Sequence, residues 1–372
     1  MAIHRTALAA VLTGALALTT LSGFTTKPAA EGIDECSVNK EEFPLQGEDW
    51  VRWVPDVGHP VFWGYQDVGP AQGAPGESRV YYPSLDGSPQ NARIAKQCAA
   101  DYPVVLFLHG QPPAGESTPQ YNQDFHRIGA DLARSGYVVV APSYRASLPG
   151  PWGAQQSVVE AMADVHWVRT EWTNAQWVDP RLESSAVIGH SYGALLAARV
   201  AAQIHEFRAF VSLSGPYQEL DDASTLIQSI ATPTFFVWAD GHAPGIGLEN
   251  LDGNPPLWDL FGRPKHRAVF KGEHFDYLDH PGLAPVGPCH PAIGGALADL
   301  ATLFVARNLP IPAGGTEVAI ELTKPQVPLT LEQEFYAGAH LAGLDLVEHK
   351  DGCHIDIRWD VNGVTGDREI GP

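Results

Sequence analysis

One serine, one aspartate and one histidine of this chain have types and spacing suited to nucleophilic chemistry. Ser191 sits in Gly189-His190-Ser191-Tyr192-Gly193, after the apolar run 186–188 and before the small-residue run 194–198. A pattern this short recurs by chance, so its surroundings carry the weight. An apolar strand is expected to end at Gly189 and a helix to start after Gly193, which places Ser191 on a tight strand-to-helix turn. Glycines two before and two after the serine suit such a turn, where neighbouring backbone comes too close for a Cβ. A serine there could simply cap the helix, so the test is whether it has partners. A hydroxyl is too weakly acidic to attack an ester unaided; it needs an imidazole to take its proton and a carboxylate to orient that imidazole. Asp240 follows the expected strand 234–238, and His274 follows the expected strand 267–270, within Lys271-Gly272-Glu273-His274-Phe275.

Other residues compete for these places. Asp221 and Asp222 follow the strand 209–213, but Asp221 is already eight positions beyond it, so Asp240 is better placed. Glu273 is a solvated neighbour of His274. Among the histidines, His266 precedes its strand and lies at the wrong end, while His280 and His290 are further along the loop. His109 and His190 read as buried, hydrogen-bonded scaffold. His274, Asp276, Asp279 and His280 lie close together, yet no HExxH occurs and mixed His and Asp near a Pro-Gly turn suit a solvated loop, so no metal site is expected. Neither GxxxxGK[ST] nor a GxGxxG opening a helix after the first strand is present, and no cofactor is implied.

The elements that must position these residues alternate. Apolar, β-branched runs at 61–65, 79–82, 104–108, 138–141, 186–189, 209–213, 234–238 and 267–270 are interleaved with helical patterns near 123–134, 158–171, 194–203 and 292–307. That pattern predicts an α/β fold, a mostly parallel sheet of about eight strands with helices on both faces. The run 104–108 has no polar alternation, as a strand buried on both faces requires. Pro- and Gly-rich stretches at 111–119, 147–153 and 241–256 fall at carboxyl ends of strands, where open parallel sheets place ligands. Residues 31–310 are expected to form the main domain, and residues 311–372 a small C-terminal extension packed on it, with an apolar run at 318–322, a short helical pattern at 331–339 and a strand-like run at 353–359.

With these residues in place, the chain resembles the α/β-hydrolase superfamily over roughly residues 60–308, specifically its secreted serine-esterase branch of lipases, cutinase-like polyester hydrolases and platelet-activating-factor-acetylhydrolase-like enzymes. Gly189-His190-Ser191-Tyr192-Gly193 is similar to the family's nucleophile elbow, and Ser, Asp and His follow in its chain order. His109-Gly110-Gln111 is similar to its oxyanion element. The resemblance implies that the backbone N–H groups of Gln111 and Tyr192 hold the negative oxygen of a tetrahedral intermediate. Hydrolysis of a carboxylic ester is the leading expectation. Peptide or amide hydrolysis needs the same residue types, and a silent binding protein on this fold would usually have lost one of the three residues that are all present here. Tyr121, Trp152, Trp238 and Trp258 lie in or beside loops at the catalytic edge, where they could form an aromatic wall for an acyl chain or aromatic ester, or simply pack those loops. No long amphipathic insertion suggests a lid, which favours short-chain or polymer-bound esters.

Composition bounds the setting. Of 372 residues, 44% are hydrophobic and 18% charged, with 23 Lys plus Arg against 43 Asp plus Glu, a formal charge of −20. That balance repels phosphate backbones and anionic headgroups, and no basic patch offsets it, so nucleic acid is not an expected partner. Residues 1–30 carry early basic residues, then an apolar run at 7–18, then small and polar residues up to Ala29-Ala30, with no acidic residue, which is the layout of a secretory signal peptide. The apolar run is shorter than the roughly 20 residues of a membrane span. Export to an oxidising compartment suits the even count of four cysteines, Cys36, Cys98, Cys289 and Cys353, none of them paired as CxxC. Three pairings are open; Cys36 with Cys98 and Cys289 with Cys353 is favoured, because each would tether a terminal segment to the body. The expected product is secreted, disulfide-bonded, monomeric and without a stable membrane anchor.

Overall fold

The computed structural model describes residues 62–84, 89–95, 101–111, 122–144, 151–217, 220, 222–239, 257–262, 264–279, 287, 290, 292–309, 355–361 and 364–370. They form a sheet of ten strands: β1 Phe62–Val68, β2 Ser78–Ser84, β3 Val104–Leu108, β4 Val138–Pro142, β5 Ser185–His190, β6 Ala209–Leu213, β7 Thr234–Ala239, β8 Lys265–Phe270, β9 Ile355–Val361 and β10 Val364–Ile370. The helices are α1 His126–Arg134, α2 Pro151–Thr170, α3 Tyr192–Gln203, α4 Ala223–Gln228, α5 Leu257–Leu260 and α6 Ala292–Asn308. The spatial order is β1-β2-β4-β3-β5-β6-β7-β8-β9-β10. Strands β4, β3, β5, β6, β7 and β8 run parallel, with antiparallel neighbours at both margins. This is the mostly parallel, helix-covered sheet that the sequence pattern predicted, in the α/β-hydrolase fold that the resemblance implied.

The parallel strands are buried on both faces, and their alternate side chains supply two cores. Val105, Phe107, Ile188, Val211, Phe235 and Val237 meet α1 and α6 on one face. Leu106, Leu108, Val187, Phe210, Phe236 and Trp238 meet α2, α3 and the short helices α4 and α5 on the other. α3 lies close to the sheet because its inner face is built from small residues, Gly193, Ala194, Ala197, Ala198 and Ala201, all buried. At the outer margin Arg79 and Asp67, paired across the β1–β2 ladder, form a two-pronged ion pair at 2.7 and 2.8 Å, and the guanidinium lies 4.1 Å over the Tyr65 ring.

Three features differ from the expectations above. Strands β9 and β10, from the segment read as an extension, pair in sequence onto the edge of β8 and continue the sheet. Helix α2 starts at Pro151, so Trp152 lies in a helix rather than in a loop. The short helices α4 and α5 were not anticipated, and α5 contains Trp258. Among the described residues, no helix is long and apolar enough to cross a membrane.

Candidate active site

Ser191 is the single residue between β5 and α3. Its backbone has φ 54° and ψ −123°, a left-handed conformation that costs a β-carbon-bearing residue on the order of 1–3 kcal/mol and persists only where the surroundings enforce it. They do so here. The Ser191 N–H donates to the Leu213 carbonyl at 2.8 Å, and the Ser191 carbonyl accepts the Ala194 N–H at 2.9 Å. The flanking glycines are required sterically: a Cβ on Gly193 would lie 2.1 Å from the Leu108 carbonyl oxygen, and one on Gly189 would lie 2.2 Å from that of Gly193. The close approach presses the start of α3 onto the end of β3 and leaves the half-buried Ser191 on the crest of the turn.

The end of β3 runs past this crest. A Cβ on Gly110 would come within 2.8 Å of the Ser191 Cβ, so the His109-Gly110-Gln111 segment lies directly beside the serine. His109 is completely buried; its Nδ1 donates to the Gly110 carbonyl at 2.7 Å, its ring stacks on Tyr144 at 4.2 Å, and its carbonyl accepts the Tyr144 hydroxyl. Burial pushes the His109 imidazole down to about 4, so it is neutral scaffold at ordinary pH. Gln111 is exposed at the far end of this segment.

His274 follows β8 and is 8% exposed. His190, the last residue of β5 and adjacent to Ser191, donates from Nε2 to the His274 carbonyl at 2.9 Å, and the two rings lie 4.8 Å apart. Phe125 and Tyr277 complete the walls around His190, at 5.0 and 5.1 Å. The strand ends are stitched in series: Ser214 N–H donates to the Val237 carbonyl at 2.8 Å, and the Tyr277 hydroxyl reaches that same carbonyl at 3.2 Å and Ser214 Oγ at 3.1 Å. Burial, the dominant cause, drives the Tyr277 phenol far above its ordinary value, so it acts only as a neutral hydrogen-bonding strut.

The structure therefore brings His109, Gly110, His190, Ser191, Tyr192 and His274 to one edge of the sheet. Asp240, Tyr121, Asp221 and the cysteines Cys36, Cys98, Cys289 and Cys353 lie outside the described residues. Asp222 is described and pairs with Arg199 at 3.2 Å on the surface. His266 is buried near the start of β8, against Phe304. Two of the four aromatic candidates turn out to be packing residues. Trp238 has no exposed surface, because it shares a strand face with Phe236 and packs with Tyr217 in the second core. Trp258 is 6% exposed, lies 6.2 Å from the Phe236 ring, and is covered by the Lys265 ammonium at 4.8 Å, with its carbonyl accepting from that ammonium. The side chain of Trp152 is not among those described.

Sequence reasoning missed Asp276 and Asp279, which it had grouped with a solvated loop. Asp276 is fully buried and accepts backbone N–H groups, and Asp279 accepts the Arg127 N–H at 2.6 Å at the start of α1. The one available signal was Gly272, a glycine two residues before His274, where a Cβ would lie 2.4 Å from Asp276 Oδ2. Among the described residues no group of three or more His, Cys, Asp or Glu side chains is arranged to hold a metal ion.

A comparison of the whole sequence with curated proteins gives no match. The Chlorophyllase family model matches residues 85–215, a stretch that contains His109, Gly110 and Ser191 and stops before Asp240 and His274. Over β3 to β6, including the turn that presents Ser191, the chain is thus similar to the Chlorophyllase family, an ester-hydrolase family of the α/β-hydrolase type.

Proposed function

We propose that this protein is an exported serine hydrolase that cleaves carboxylic esters through an acyl-enzyme, with Ser191 as nucleophile, His274 as proton carrier and Asp240 as the carboxylate that orients it. The observation that carries this reading is the strained backbone of Ser191, held at φ 54° beside the His274 segment. A helix-capping serine needs no such conformation, and here its side chain makes no hydrogen bond into α3. In the reaction, Ser191 Oγ attacks the ester carbonyl as His274 takes its proton. The imidazolium then protonates the leaving alcohol, and a water deprotonated by His274 cleaves the acyl-enzyme to release the acid and restore Ser191. Tyr192 is the first residue of α3, so its N–H has no partner within the helix; with the N–H of Gln111, next to Gly110, it would supply the oxyanion donors. No cofactor enters this scheme. The signal-like residues 1–30 and the four cysteines support export with two disulfides.

Ser191→Ala removes one oxygen at the turn and no core volume. The variant is expected to lose hydrolysis of p-nitrophenyl esters and covalent labelling by a fluorophosphonate while keeping its thermal midpoint. Asp240→Asn should lower kcat by orders of magnitude with KM little changed. Labelling that survives Ser191→Ala would overturn the assignment, and a peptide substrate turned over faster than any ester would move the protein to the amidase reading.

A further inference from the structure

The segment that carries His274 is held by a carboxylate that the reaction scheme does not use. Asp276 lies two residues beyond His274 and has no exposed surface. Its Oδ2 accepts the Glu273 N–H at 2.8 Å and its Oδ1 accepts the Gly287 N–H at 2.6 Å. Its own N–H donates to the Glu273 carbonyl at 3.1 Å, and its carbonyl accepts His290 Nδ1 at 3.2 Å. Two glycines from separate stretches make room for it: a Cβ on Gly272 would lie 2.4 Å from Oδ2, and one on Gly287 would lie 2.8 Å from the same oxygen. A carboxylate removed from water is costly unless its lone pairs are met, and bonds from N–H groups to a charged acceptor are the stronger kind. This slot meets the charge with backbone, from both sides of the loop.

The consequence falls on His274. Its carbonyl is fixed by His190 Nε2, next to Ser191. The peptide N–H one residue before it, at Glu273, is fixed by Asp276. Further along, Asp279 ties the same loop to α1, through its N–H to the Asp124 carbonyl at 2.8 Å and its carboxylate to the Arg127 N–H. Without Asp276 the backbone at His274 would lose the bond that fixes it on the Glu273 side.

We propose that Asp276 is a positioning residue for the ester hydrolysis: by bridging Glu273 to Gly287 it sets the backbone of His274 so that the imidazole meets Ser191 already oriented. This rests on the reading of Ser191 and His274 given above. A shift of about 1 Å in a reacting group can cost on the order of 100-fold in rate, whereas Asp276 has no exposed surface with which to meet an ester, so KM should be spared.

The test compares Asp276→Asn, which keeps the shape but turns an NH2 group towards one of the two N–H donors, with Gly287→Ala, which presses a methyl against Oδ2 and leaves Asp276 in place. Ser191→Ala and His274→Ala are assayed beside them. Rates on a p-nitrophenyl ester are expressed per active site, counted by a fluorophosphonate titration run to completion, so partial unfolding lowers the count and not the rate. Both Asp276→Asn and Gly287→Ala are expected to lose ~10-fold or more in kcat per titrated site with KM within about twofold. An unchanged kcat per site, with only the thermal midpoint or the site count reduced, would show a purely structural role and overturn the proposal. If Asp276→Asn does not fold, Gly287→Ala decides by the same criterion. Full activity in Ser191→Ala or His274→Ala would instead overturn the catalytic assignment itself, a result separate from any effect at Asp276.

Discussion

At His109 a single imidazole couples the stability of the site to pH. Its folded-state value, about 4, is depressed by burial from an unfolded value near 6.5. As pH falls through 6.5 the unfolded chain binds a proton that the folded chain refuses, so stability is full above that pH and is lost progressively down to about pH 4, below which this residue adds no further loss. Between pH 7 and pH 5 the expected loss is about 2 kcal/mol. His109→Phe keeps a ring to stack on Tyr144 but removes the ionisable group. Its urea midpoint should therefore fall less between pH 7 and pH 5 than that of the unaltered protein. Equal losses in both would exclude His109 as the source.

Among the elements, α3 matters most, because its first turn starts directly after Ser191. The alanines and glycine on its inner face allow the helix axis to approach β3 and β5, and Ala197 has no exposed surface. A larger side chain there forces the helix off the sheet. Ala197→Leu is expected to destabilise by about 1–3 kcal/mol, as overpacked cores do. Because the same displacement would lift the turn away from the end of β3, esterase activity should fall even in the fully folded variant. Chemical denaturation together with activity at 20 °C checks both; full activity with lowered stability would show that the turn is held by β5 and β6 alone. The loop after β8 is the second such element. It is anchored to α1 by the Asp279 carboxylate at a helix N-terminus, where backbone N–H groups stand free and favour negative charge.

Across the whole molecule, the ten-stranded sheet is long, and its last two strands come from a segment far from β8 in sequence. Covalent ties near the chain ends would limit the entropy that such distant pairing costs. The two disulfides proposed for the four cysteines should each stabilise by roughly 2–4 kcal/mol, largely through the unfolded ensemble. Reduction should lower the thermal midpoint and leave activity near normal at moderate temperature, and non-reducing peptide mapping should join Cys36 to Cys98 and Cys289 to Cys353. Two free thiols, or loss of activity on mild reduction before any unfolding signal, would show that the bridges are absent or that Cys289 braces the neighbouring Gly287 segment that Asp276 holds.

The local pattern of residues determined the central strands and the turn at Ser191. Strands buried on both faces must be continuous apolar runs, which is why 104–108 and 209–213 were legible to the residue, and a turn that forbids a Cβ on both sides announces itself by its glycines. Side-chain direction was not legible in the same way. Trp238 was placed near the site by its position at a strand end, yet the alternation of β7 sends it into the core with Phe236. Charged residues after His274 looked like solvated loop, and only the chain's return at Gly287 supplies the N–H that makes Asp276 a buried anchor. The run 353–359 was legible as strand-like, but its pairing onto the edge of β8, with β10 beside it, was decided only in the folded sheet. Contacts between neighbours in sequence are written in residue order, whereas a buried charge or an edge strand is specified by a partner far along the chain, whose position only the folded structure sets.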